Sequence, residues 1–145
     1  YAHWKTAEMP EGSGNTRREA YDDSVLPVVE AGQAVMVSDG HQLEDSVYVV
    51  SSPGHTPGHA FLHLNSPDGS AVFTGDCMHH PVQVAYPEWN SRYCFDPPKS
   101  AATRRDIVEQ CADKDTVVLA AHFADPVAAR IVSNETRWKL DLNIG

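Results

Sequence analysis

Cysteine is scarce in this sequence and never closely paired: Cys77, Cys94 and Cys111 are the only three in 145 residues. Without a C-x-x-C there is no framework for disulfides and no thiolate zinc site, so three reduced, buried thiols in a cytoplasmic protein are expected. Basic residues are also short. Eleven Lys and Arg face twenty Asp and Glu, a net charge of −9 that opposes nucleic acid and anionic lipid surfaces as partners. No apolar run approaches the roughly 18 residues of a spanning helix, and no signal peptide is visible. The chain opens on Tyr1 rather than Met, so an upstream part removed or never included is expected. G-x-x-x-x-G-K-[ST], G-x-G-x-x-G and G-x-S-x-G are all missing, which leaves P-loop, Rossmann and α/β-hydrolase readings without their motifs.

What is present is a globular composition, 41% hydrophobic and 21% charged, with one domain's length. The pattern is mixed α and β. Asn15 or Thr16 is placed to cap a helix through Arg17, Arg18 and Glu19, and Ser24 to cap another that Gly32 ends. Residues 34–37 and 47–51 read as short strands around a Ser38-Asp39-Gly40 turn. Ser52-Pro53-Gly54-His55-Thr56-Pro57-Gly58-His59 can only be a tight loop. Strands over 60–64 and 71–74 follow, joined by a hairpin connection at 65–70. Ser100 is placed to cap a helix to about Ala112, with Arg104 and Arg105 on its solvated face. Residues 116–121, Thr-Val-Val-Leu-Ala-Ala, read as a strand buried on both faces, and a last strand fits 138–142.

Three positions share a topology. His59 follows the loop, Asp76 ends the strand at 71–74, and His122 ends the strand at 116–121. Side chains at strand ends converge on one rim of a sheet, and two imidazoles with a carboxylate form a donor set suited to zinc or another divalent metal. Taken singly, each is more often a hydrogen-bonded structural residue.

The order Pro-Gly-His-Thr-Pro-Gly-His, hairpin, Phe-Thr-Gly-Asp, then a strand ending Ala-Ala-His resembles the metallo-β-lactamase-fold hydrolases. Met78-His79-His80-Pro81-Val82-Gln83-Val84 resembles their lactonase and organophosphate-hydrolase branch. The resemblance implies an α/β (α+β) chain, residues 1–145 forming the C-terminal half of a four-layer αβ/βα sandwich. It implies His59, Asp76 and His122 as metal ligands, with Asp76 also the catalytic, bridging carboxylate. His55 is read as a turn residue, His63 as structural, and His79 and His80 as rim or loop residues.

The family's H-x-H-x-D-H signature is absent: no two of the eight histidines are spaced H-x-H. Zn2+ or a similar ion is therefore expected at weak or partial occupancy. The implied activity is hydrolysis, with metal-activated water attacking an ester, lactone or phosphotriester as the small-molecule substrate. The alternative is a non-catalytic relative acting as an oligomeric structural or binding module. A half-sandwich leaves one sheet face open. A patch on the order of 600 Å² costs roughly 15 kcal/mol at about 25 cal/mol/Å², so a homodimer is expected.

Overall fold

The computed structural model describes residues 2–6 and 19–144, which divide into two compact units at the Val37–Ser38 junction. In the first unit a short helix, α1 (Ala2–Thr6), is followed by one wide π-helical turn (Tyr21–Val25) that runs into α2 (Leu26–Glu30). Ser24 lies inside the wide turn rather than at a cap, while Gly32, at φ +68°, ends α2 as expected. The helix start at Asn15 or Thr16 lies outside the described residues. Residues 34–37 form no strand. Val35 is 79% exposed, and among the described residues 34–37 join no strand ladder, without which four apolar residues cannot hold an extended strand.

The second unit is built on a seven-stranded sheet in sequence order: β1 (Gln42–Glu44), β2 (Val47–Ser51), β3 (Ala60–Ser66), β4 (Gly69–Phe73), β5 (Thr116–Leu119), β6 (Ala128–Asn134) and β7 (Arg137–Asp141). Every neighbouring pair is antiparallel except β4 and β5, where Val72 sits beside Val118 in a parallel register. That parallel step requires a crossover. It contains a single 3-10 turn (Gly75–Cys77) and two helices, α3 (Val82–Ala85) and α4 (Pro97–Cys111).

Helix α4 begins earlier than Ser100. Asp96 is its cap, accepting a hydrogen bond from the Lys99 amide at 3.0 Å, and Pro97 and Pro98 fill a first turn that needs no amide donors. The helix packs on the inner face of the sheet. Ile107, Val108 and Cys111 meet Phe61, Val72, Val118 and Ile131, and Cys77, Met78, Val84 and Phe123 complete the core. Arg104 is not on a solvated face; it is fully buried.

The other sheet face is apolar and uncovered by α4. Register places Val49, Leu62, Phe73 and Leu119 in one row across four strands. Leu62 is 37% exposed and Phe73 41%, and Ala121 and Val127 continue the exposed surface. Strand β5 is therefore not buried on both faces. Thr116 and Val118 are buried while Val117 and Leu119 are only partly so, because a single helix layer covers one side. Among the described residues no helix is long and apolar enough to cross a membrane.

Candidate metal centre

The loop at 52–59 is fastened to the start of α4. Thr103 Oγ1 donates to the Pro53 carbonyl at 2.7 Å, and the amides of Phe95 and Asp96 donate to the carbonyls of His55 and Gly54 at 2.9 Å each. Gly54 is required here. Its φ is +137°, and a Cβ would lie 2.3 Å from the Ser100 nitrogen. These constraints aim His55 inward, where its Nε2 lies 3.3 Å from Asp76 Oδ2.

Asp76 stands on the 3-10 turn just past β4. Its Oδ1 accepts a hydrogen bond from His122 Nε2 at 2.8 Å, so each carboxylate oxygen faces a different imidazole. Burial pushes the Asp76 carboxyl up, but the His122 hydrogen bond and the charges of His55, His122 and His79 outweigh it and hold it below its usual range.

His59 is placed differently from expectation. Its Nε2 accepts the Asp76 backbone N–H at 3.1 Å, which puts the ring proton on Nδ1. Nδ1 then donates to the Ser52 hydroxyl at 2.6 Å. Both ring nitrogens are thus spent on protein, and His59 supports the Asp76 turn from behind. Burial, then the neighbouring charge of His55, keeps its pKa below 6.5. Gly75, at φ +51°, makes room: a Cβ there would stand 3.1 Å from His59 Nε2. The structure therefore brings His122 and Asp76 together as expected, and adds His55 where the sequence reading chose His59.

His79 joins them. Its ring stacks on His122 with centroids 4.9 Å apart and 6° between planes, and lies 4.9 Å from the ring of His55. Burial first, then the charges of His55 and His122, pushes His79 down to about 4, so the ring is neutral at pH 7. Its Nδ1 is buried without a hydrogen-bond partner. His80 turns away, accepting the Val82 amide on its own Nδ1 at 3.1 Å, and His63 lies farther along β3, lining a pocket of mixed polarity with Phe61, Asn65 and Lys114.

The donor types suit a divalent metal: imidazole nitrogens, a carboxylate, and one orphaned imidazole nitrogen at the same rim. As the side chains stand, the donors are paired with one another, and no group of three or more among the described residues is disposed around a common point. All three cysteines are free and buried. They take no part.

Neither a protein-family profile nor a curated protein sequence matches the chain. Solved structures do. The hydrolase AbOPH of the beta-lactamase superfamily is 26% identical with a TM-score of 0.75 over 86% of this chain and 43% of its own. AidC, a dizinc quorum-quenching lactonase solved with a product, is 15% identical with a TM-score of 0.74, covering 97% of this chain and 51% of its own. A probable metal-dependent hydrolase from Staphylococcus aureus is 17% identical with a TM-score of 0.65, covering 79% and 42%. The strand order, the rim at the ends of β4 and β5 and these neighbours agree: the chain has the metallo-β-lactamase fold, the fold of a superfamily of metal-dependent hydrolases, and it spans about half the length of the structures it matches.

Proposed function

We propose that this chain supplies His55, Asp76 and His122 to a divalent metal centre, zinc first, that hydrolyses a small-molecule electrophile such as an ester, lactone or phosphotriester. One observation carries the reading. The Asp76 carboxylate sits at the rim with an imidazole on each oxygen, at 2.8 and 3.3 Å, a disposition suited to a carboxylate shared between two metal positions. AbOPH and AidC support the reaction class. A bound metal supplies Lewis acidity and a water of lowered pKa. The chain's own residues do the rest. Asp76, held ionised, keeps the rim anionic. His59 fixes the Asp76 turn in one orientation, and neutral His79 lies against the ligand His122 without adding charge.

His55 replaces His59 in the proposed ligand set because both His59 nitrogens are bonded to protein. With three donors and no H-x-H-x-D-H in these 145 residues, metal is held weakly or at partial occupancy, and turnover by the chain alone is low. Elemental analysis after dialysis and competition against a chromophoric chelator test this. Less than one zinc per chain, lost in Asp76→Ala and His55→Ala but retained in His63→Ala, is expected. Two tightly held zincs that survive Asp76→Ala refute it.

A second reading, an oligomeric structural or binding module without catalysis, is favoured by the apolar outer face of β2 to β5. A second copy laid sheet on sheet would cover that face as a homodimer. The net charge of −9 supports a partner that is neither nucleic acid nor an anionic membrane, and three reduced thiols fit a cytoplasmic setting. Sedimentation at micromolar concentration separates the readings. A stable, well-folded species near 15.9 kDa rules out the dimer.

A further inference from the structure

Two buried polar side chains outside the ligand set converge on the segment that carries His79. Gln83 Oε1 accepts the backbone amides of His79 at 2.6 Å and His80 at 3.2 Å, while its Nε2 donates to the Trp89 carbonyl at 2.7 Å. The same carbonyl receives Arg104 Nη1 at 3.0 Å from α4. The Arg104 guanidinium also donates to the carbonyls of Cys77 at 2.8 Å and Pro87, to Ser100 Oγ at 3.0 Å, and more loosely to Asn90 Oδ1.

This is an unusual use of an arginine. It is fully buried, and among the described residues its hydrogen-bond partners are backbone carbonyls, two hydroxyl or amide oxygens, and no carboxylate. Burying a cation is costly unless its donors are satisfied, so the observed arrangement is stable only with the 77–90 segment wrapped in this one conformation. The same stretch of α4 also holds the His55 loop, through Thr103 on Pro53. One helix face is thus fastened to both loops of the rim.

We propose that Gln83 and Arg104 are positioning residues: joined through the Trp89 carbonyl, they lock residues 77–90 so that the His79 ring is held against His122 beside Asp76. The functional meaning rests on the metal-centre reading above; the lock itself does not. Outer partners of a ligand shell typically change metal affinity by about 10- to 100-fold when removed.

The test uses the full chain and three variants. In the unaltered chain, native-state hydrogen exchange finds the amides of His79 and His80 opening only with global unfolding, at the same denaturant dependence as Val118 and Ile131. Local, denaturant-independent exchange at both amides overturns the proposal even if no variant folds. Gln83→Glu keeps an acceptor for the His79 and His80 amides but places its second oxygen against the Trp89 carbonyl, where Nε2 had donated, and so keeps only part of the amide protection and of the ring-current shift of His122 produced by the stacked His79. Gln83→Leu, of similar volume without an acceptor, loses both selectively while the Val118 and Ile131 amides stay protected, and Arg104→Lys loses part of each. Gln83→Leu that retains the protection and the ring shift overturns the proposal. In zinc competition, Gln83→Leu binds about 10- to 100-fold more weakly than the unaltered chain. If the unaltered chain takes up no zinc, the metal reading fails alone, because the exchange and ring-shift measurements on metal-free chain still decide the lock.

Discussion

Replacing Gly54 with alanine probes the geometry on which the rim depends. Two costs add. At φ +137° an L-residue sits in a region reserved for glycine, which costs about 1–3 kcal/mol. The new Cβ also falls 2.3 Å from the Ser100 nitrogen, 2.4 Å from its Cα and 2.8 Å from the Lys99 carbonyl carbon. These are backbone atoms in the first turn of α4, not the flexible end of a side chain. Reaching ordinary contact requires the loop and helix to part by about 1 Å, an overpacking of roughly 1–3 kcal/mol. The sum, about 2–6 kcal/mol, is a large fraction of a small domain's stability of about 5–15 kcal/mol. Gly58 in the same loop is the control, since its φ is not positive and a Cβ there meets nothing within 4 Å. Gly58→Ala is expected to be neutral or stabilising by up to about 1 kcal/mol, by narrowing the unfolded ensemble. Urea denaturation followed by tryptophan fluorescence measures both. If Gly54→Ala and Gly58→Ala unfold within about 0.5 kcal/mol of each other, the close approach of loop and helix described here is wrong.

Four further outcomes are expected. His59 and His79 have lowered pKa values and so resist protonation in the folded chain, whereas in the unfolded chain they titrate near 6.5. The unfolded state then binds more protons, so stability falls as pH drops from about 7 toward 4; a melting temperature unchanged between pH 7 and 5 contradicts this. Asp76 acts lower: its depressed pKa gives stabilisation that is present above the usual carboxylate range and lost as pH falls through the folded value, so Asp76→Asn flattens the acid limb of the stability profile. Burial pushes the Cys77 and Cys111 thiols up to about 11, so a thiol reagent at pH 8 leaves these two unmodified in the native chain and labels them only in denaturant. On the outer sheet face, Phe73→Asp leaves the melting temperature within a few degrees and converts any dimer to monomer in sedimentation; an unchanged dimer assigns the interface elsewhere.

The strands that were legible carry alternating or continuous apolar residues between turn residues. Val47–Ser51 is found with the expected bounds, while β5 ends at Leu119, two residues short of the expected 116–121, with His122 in the turn that follows. β6 was not legible, although Ala129 and Ile131 alternate inward, since an Asp-Pro step and an arginine interrupt the signal. β1 offers three exposed residues and no pattern at all. At the rim, both histidines of Pro-Gly-His-Thr-Pro-Gly-His satisfy the same spacing argument. Only the positive φ of Gly54 and the Ser52 hydroxyl behind His59 decide which imidazole faces Asp76. Arg104 was the least legible residue. Charge and helical position both argue for solvent, and its partners are carbonyls, which every sequence has and none displays.

The parallel junction between β4 and β5 also orders the assembly of the rim in time. β2, β3 and β4 form a meander whose contacts are local in sequence, but the 52–59 loop between β2 and β3 is fastened to the start of α4 and takes its shape only once that helix is in place. Asp76 and His122 are 46 positions apart, and they meet only when the whole crossover has closed and α4 has docked. The rim is thus a late event in folding, because both its loop and its Asp76–His122 pair wait on the docking of α4. A ligand that bridges Asp76 and His122 draws on that last step. It slows unfolding rather than speeding folding, and its effect is seen as a longer native lifetime before it is seen in any rate of collapse.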